Sequence, residues 1–160
     1  MESNSKHTCC FTGHRPERLT MSENKVIAWL EEQIRKAVKD GYTDFITGMQ
    51  RGVDIWAAEI VIKLKQEGMK VHHIAACAWN GMEKAWEAEW RNRYTKILMS
   101  SDKIVYVSAR PGRAAFFARN HWMVDHSSRL IGVYTGAPGG TKETIEYARQ
   151  NGIEVITIKK

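Results

Sequence analysis

Strand-like apolar runs alternate with amphipathic segments along the whole of this chain, and no other feature constrains the fold as much. Runs at 8–12, 44–47, 70–75, 103–108, 130–134 and 154–158 read as strands. The first segment between them places Val26, Ile27, Leu30, Ile34, Ala37 and Val38 at helical spacing. Further amphipathic segments cover 53–66, 82–99, 114–126 and 141–150. Regular β-α alternation predicts an α/β fold with a mostly parallel sheet of six strands and helices on both faces. The right-handed crossover rule makes that sheet doubly wound. No linker, repeat or low-complexity tract interrupts the pattern. A length of 160 residues suits one core, so a single domain over 1–160 is expected.

The two kinds of connection differ. Helix-to-strand loops are short: Asp40-Gly41, Glu67-Gly68, Ser127-Ser128 and Asn151-Gly152. In three of them a glycine stands where a helix would end, as a left-handed C-cap requires. Strand-to-helix loops are longer and chemically loaded. They are Gly13-His14-Arg15-Pro16, Gly48-Met49-Gln50-Arg51-Gly52, Cys77-Ala78-Trp79-Asn80, Arg110-Pro111-Gly112-Arg113 and the loop around Pro138-Gly139-Gly140. In an open parallel sheet these all lie along the carboxyl edge, where such folds bind ligands. The asymmetry predicts a small-molecule site there.

The stretch Thr135-Gly136-Ala137-Pro138-Gly139-Gly140-Thr141 follows a strand-like run and opens a helix. Glycines let the backbone approach a ligand, and the first N–H groups of the helix point at it. Pro138, Gly139, Gly140 and Thr141 are therefore expected to bind a phosphate; a tight connection that binds nothing is the alternative. Gly13 ends the first strand. Arg15 after it can fork onto a phosphate, and His14 reads either as a ligand contact or as a turn histidine bonded to backbone. Gly48 and Gly52 bracket the second loop. Asp54 reads as an N-cap or as an acceptor for ribose hydroxyls. Trp79 can stack on a base, whereas Trp90 reads as core.

Net charge is +6, which permits attraction to phosphates or nucleic acid. Runs such as Glu31-Glu32-Gln33-Ile34-Arg35-Lys36 interleave the signs and read as solvated helix faces. The three cysteines have no metal or redox spacing and read as reduced structural thiols. His72 and His73 face opposite ways in a strand. His121 and Asp125 share a helical face without a third ligand, so a helix-surface hydrogen bond between them is expected and not a metal site. No metal and no resident cofactor are expected. No apolar segment is long enough to cross a membrane, and the polar start, residues 1–7, has no signal core. A cytoplasmic protein is expected.

Three stretches together resemble one known group: Cys10-Phe11-Thr12-Gly13-His14-Arg15-Pro16, Thr47-Gly48-Met49-Gln50-Arg51-Gly52-Val53-Asp54-Ile55-Trp56-Ala57-Ala58-Glu59 and Gly139-Gly140-Thr141. They look like the YpsA-like (YspA) bacterial proteins of the SLOG superfamily, which also includes DprA-type and LOG-type proteins. The resemblance implies a Rossmann-like sheet and a nucleotide or nucleotide-derivative site, serving a sensor or binding module. LOG-type enzymes hydrolyse the N-glycosidic bond of nucleoside 5′-monophosphates, using an Arg-Lys-x-x-Met run and Pro-Gly-Gly-x-Gly-Thr-x-x-Glu. Arg119 in Arg119-Asn120-His121-Trp122-Met123 matches that arginine, and Glu146 falls at the glutamate when Pro138-Gly139-Gly140 are aligned. Lys142 and Glu143 depart from the motif, and aligning on Gly140-Thr141 puts Thr144 at the glutamate instead. The resemblance thus implies Arg119 and Glu146 as a catalytic pair if the chain is a LOG-like hydrolase. The DprA-type likeness implies single-stranded nucleic acid as a further alternative partner.

Overall fold

Each strand-like run becomes a strand of one parallel sheet. In a computed structural model, which describes residues 4–159, the strands are β1 (Thr8–Gly13), β2 (Asp44–Thr47), β3 (His72–Cys77), β4 (Lys103–Tyr106), β5 (Arg129–Val133) and β6 (Glu154–Thr157). The helices are α1 (Glu23–Lys39), α2 (Val53–Gln66), α3 (Ala88–Ser100), α4 (Arg113–Asp125) and α5 (Gly140–Gln150). Residues 1–3 and 160 of the expected domain, and with them the start of the polar N-terminal stretch, lie outside the described residues.

The strand order is β4-β3-β2-β1-β5-β6, and every neighbouring pair is parallel. From β1 the chain winds outward to β4. It then returns to the other side of β1 and continues through β5 to β6. The direction of winding reverses between β1 and β5. At such a switch point the flanking loops diverge and leave a crevice at the carboxyl ends of the strands.

Strand periodicity explains the layers. Cys9, Phe11, Phe45, Ile131 and Val133 join Leu30, Ile34, Trp56 and Val61 of α1 and α2 in one core. The alternate residues Cys10, Ile46 and Leu130 join Met123, Val124, Ile145 and Ala148 of α4 and α5 on the opposite face. Both faces of the central strands are covered, so they read as continuous apolar runs. α2 packs against both α1 and α3, which accounts for its burial from Val53 through Ala58.

The third crossover differs from its periodicity. Helix was expected over 82–99, but α3 begins at Ala88. Gly81, at φ +91°, opens successive tight turns: Met82 N–H to Trp79 O at 3.3 Å, Lys84 N–H to Gly81 O at 3.1 Å and Trp86 N–H to Glu83 O at 3.0 Å. Met82 and Trp86 still reach the core around Tyr94, so tertiary burial, not helix, produces their spacing. Strand β3 likewise lies two residues later than expected and takes in Cys77. The return loops are as read: Gly41, Gly68 and Gly152 follow their helices at φ +101°, +99° and +75°. Cys9, Cys10 and Cys77 are buried and free. Burial pushes the Cys10 thiol up to about 12, which keeps it un-ionised and inert. No helix among the described residues is long and apolar enough to cross a membrane.

Candidate functional site: a cleft at the switch point

At the carboxyl ends of β1 and β5 a cleft of about 480 Å³ is lined by residues of both loops and of α2, α4 and α5. That volume lies within the usual small-molecule range of roughly 300–1,000 Å³. β1 ends directly against the start of α2. A Cβ on Gly13 would lie 2.4 Å from Cγ2 of Val53, so only glycine fits there.

The roof of the cleft is the start of α5. Gly139 is its N-cap, and no side chain caps the helix. The first amides of an α-helix have no acceptor within the helix, and Gly139, Gly140 and Thr141 all line the cleft. Arg18 braces this loop by donating from Nη2 to Pro138 O at 3.1 Å. His14 braces it from below: its Nε2 accepts the Thr135 N–H at 3.2 Å. That bond requires the proton on Nδ1 and a neutral ring. Burial, followed by nearby Arg18, holds the His14 pKa below its ordinary value and keeps it so. His14 is therefore a backbone-bonded turn histidine that also forms part of the wall.

The floor is formed by Gln50, in the loop between β2 and α2, and by Asp54 at the start of α2. Gly52 at φ +92° is the N-cap of α2, so Asp54 is not. Instead Asp54 Oδ2 reaches back to accept the Gln50 N–H at 3.2 Å. Its Oδ1 is shut off from solvent and has no hydrogen-bond partner. Burial raises the Asp54 pKa to about 6, opposed by Arg119 and by the Gln50 and Gly48 amides. Arg119 is 4% exposed. Its Nη1 donates to Gly48 O and its Nε to Asn120 Oδ1 at 2.8 Å. The guanidinium carbon lies 5.4 Å from the ring centre of Phe116, and burial lowers its pKa. A Cβ on Gly48 would lie 2.8 Å from that carbon. Gly48 is thus the seat of Arg119. Within the same loop buried Met49 adopts φ +61°, a left-handed conformation that costs a non-glycine residue energy and clusters at functional sites.

Of the residues singled out in the sequence, Gly13, His14, Arg15, Asp54, Arg119, Gly139, Gly140 and Thr141 share the cleft lining. Gly48, Gly52, Trp79, Pro138 and Glu146 are not among it. Gly52 sits against Pro16. Trp79 lies edge-on to Phe116, ring centres 5.0 Å apart, so it backs an aromatic wall formed by Phe116 and Phe117. Glu146 is exposed.

The α5 carboxylate in the lining is Glu143. Its Oε2 lies 2.7 Å from His121 Nε2, and its Oε1 is buried without a partner. His121 stacks on Tyr147 at 3.7 Å and 9°, and Tyr147 donates to Asp125 Oδ1 at 2.7 Å. The expected hydrogen bond between His121 and Asp125 is replaced by this relay through Tyr147. No group of three or more His, Cys, Asp or Glu side chains among the described residues could hold a metal ion. Arg18, Arg113, Phe116 and Phe117 also line the cleft and were not read as site residues. Adjacent aromatics near the start of a helix that follows a loaded loop were the available signal.

Comparisons with known proteins agree with this architecture. The profile of the YspA SLOG family matches residues 9–159. The SPbeta prophage-derived protein YoqJ of Bacillus subtilis is 31% identical over 140 residues, 80% of this chain and 80% of that protein. Two solved structures share the fold. DNA processing protein A (DprA) of Streptococcus pneumoniae superimposes with a TM-score of 0.67 at 14% identity, over 96% of this chain and 51% of that one. The Helicobacter pylori protein of the same name, described with a single-stranded DNA binding mode, gives 0.64 at 16% identity, over 95% and 66%. The chain therefore spans about half of the first of these structures and two thirds of the second.

Proposed function

The chain belongs to the YspA SLOG family, and from that premise we propose that it acts as one SLOG-like unit, in the cytoplasm, binding a phosphorylated nucleotide or nucleotide-derived ligand. One observation carries this reading: the uncapped start of α5 opens into the cleft at the switch point. The phosphate sits against the amides of Gly139 to Thr141, where the helix dipole and unpaired N–H groups favour an anion. Arg15, Arg18 and Arg113 line the same cleft and supply the remaining positive charge. Phe116 and Phe117 offer a face for a base. The role is that of a sensor or binding module.

A hydrolytic reading, cleavage of the N-glycosidic bond of a nucleoside monophosphate, is favoured by one feature only, the carboxylates of Asp54 and Glu143 in the cleft. The exposed position of Glu146 and the internal ties of Arg119 weigh against that pair as its machinery. Single-stranded nucleic acid is the competing partner; at 16% identity the DprA likeness supports the fold alone.

Thermal unfolding with AMP, ADP-ribose, NAD and a single-stranded oligonucleotide separates these readings, because a ligand of the native state raises the midpoint by mass action. The proposal expects a rise with one of the three nucleotides that saturates stoichiometrically. A rise with the oligonucleotide alone would replace it with the nucleic-acid reading. Chromatography of the same mixtures for released base tests hydrolysis.

A further inference from the structure

Two carboxylate oxygens in the cleft wall lack donors. Asp54 is 7% exposed; one oxygen is tied to the Gln50 amide and the other, Oδ1, is unpartnered. Glu143 has one oxygen tied to His121 and the other, Oε1, likewise unpartnered. Both residues line the cleft that the start of α5 roofs. Among the described residues three other buried side-chain atoms, Trp56 Nε1, Glu83 Oε1 and Arg129 Nη1, also lack partners, but their residues do not line the cleft. Other buried side chains are fully bonded. His73, for example, is bonded at both ring nitrogens, to Thr47 at 2.9 Å and Ser101 at 2.8 Å.

Buried acceptors left unpaired are costly, and native structures keep few without reason. Arg119 does not repair the deficit, since it donates to Gly48 O and Asn120 Oδ1. His121 does not either, because its Nε2 already serves Glu143 Oε2. What the wall lacks is donors, and what the roof lacks is an anion. One small molecule that supplies both is a sugar phosphate with free hydroxyls.

We propose that the cleft selects ribose over 2′-deoxyribose, with Asp54 and Glu143 accepting hydrogen bonds from the sugar hydroxyls of a ligand whose phosphate sits at the start of α5. This rests on the phosphate reading above and narrows its ligand class to ribosyl phosphates. The selectivity follows from the unpaired acceptors: a ligand without the hydroxyl leaves a buried carboxylate oxygen unsatisfied, and a site built to bond a hydroxyl rejects the analogue that lacks it. Asp54, on α2, and Glu143, on α5, approach the ligand from different elements, and because each hydroxyl has one proton to donate, one carboxylate takes the 2′-hydroxyl and the other a neighbouring hydroxyl.

The test is calorimetric titration of the intact chain with ribose 5-phosphate, 2-deoxyribose 5-phosphate, AMP, dAMP and inorganic phosphate. The ribose member of each pair should bind about ten- to a hundredfold more tightly. Glu143→Gln and Asp54→Asn keep shape and size; the one that removes the acceptor of the 2′-hydroxyl should narrow that ratio, and the other should weaken both members of each pair alike. Equal affinities within both pairs overturn the ribose inference and leave the phosphate site standing. Absence of binding by all five probes overturns the phosphate reading itself, and the ribose inference with it.

Discussion

Two buried arginines stand at opposite edges of the sheet and are treated in opposite ways. Arg129 begins β5 at the amino edge, 7% exposed. It is held by Asp40 at 3.0 Å and Glu154 at 2.8 Å, and it covers the Tyr42 ring at 4.6 Å. Burial lowers its pKa, but the Glu154 and Asp40 carboxylates more than offset that, and the net shift is upward. Arg119 is as deeply buried at the carboxyl edge, yet its hydrogen bonds go to a carbonyl and an amide oxygen. Asp54 helps it only at longer range, and the net shift is downward. One edge of the sheet neutralises its buried charge locally. The other leaves positive charge beside an open cleft, where a ligand anion can complete it. The difference separates an arginine neutralised by carboxylates from one whose charge is left beside a cleft.

The largest expected effect is the loss of Arg119. Arg119→Met leaves Asp54 as a buried carboxylate without its cation and removes the donor from Gly48 O. The cost should be about 3–5 kcal/mol in urea unfolding at pH 7. Asp54 already titrates near 6, and the substitution raises that further. The penalty for ionised Asp54 is present above its folded pKa and is relieved as pH falls through it. The defect should therefore shrink at pH 5; a defect independent of pH would break the link between the two residues.

His73 provides the satisfied control. Ser101 Oγ donates to Ile97 O, so His73 Nδ1 donates to Ser101 and Nε2 accepts from Thr47. Burial pushes its pKa down to about 3. Its folded pKa is below the unfolded value, so its contribution is complete above about 6.5 and lost as pH falls towards 3, by about 1.4 kcal/mol per unit. His73→Leu should cost about 2–3 kcal/mol at pH 7. The gap between wild type and variant should close on acidification. A constant gap would mean that His73 is not held neutral.

Gly140→Val sharpens the comparison on the binding side. A Cβ there meets only Asn120 Nδ2, at 3.9 Å, so folding stability should change by less than about 1 kcal/mol. The added side chain fills the phosphate position, and affinity for the best nucleotide should fall at least about tenfold, or 1.4 kcal/mol. Unchanged affinity would move the phosphate elsewhere. Arg129→Met returns Asp40 and Glu154, with side chains 40% and 51% exposed, to water. It should cost only about 1 kcal/mol and leave nucleotide affinity intact. Smallest of all, Glu146→Ala should alter stability by less than about 0.5 kcal/mol and affinity not at all. A loss of affinity or of base release in that variant would restore Glu146 to the site.

Much of this was legible in the chain because period-two burial and helical spacing are local signals. The strand-to-helix loops announced themselves through Gly13, Gly48 and Gly139, whose lack of a side chain answers to geometry that recurs in parallel sheets. Tertiary conditions were not legible. Met82 and Trp86 keep helical spacing while lying in turns, because one core receives both. Asp54 stands two residues inside α2, and only the fold reveals that Gly52 is the cap and that the carboxylate turns back to Gln50. Glu143 and Glu146 are equivalent acids in sequence; the pitch of α5 directs one into the cleft beside His121 and the other into solvent. Arg18 reaches Pro138 across 120 residues of chain, a contact no local pattern encodes.

The central claim is that a nucleotide phosphate lies against the start of α5 at the switch point. Amide chemical-shift mapping of the isotopically labelled chain during titration with AMP and ADP-ribose tests it most directly. The account predicts that the largest shifts fall on Gly139, Gly140 and Thr141, followed by Gly13 and Arg15, and that they saturate together. Shifts confined to the β4 or β6 edges, or none with either nucleotide, would contradict it.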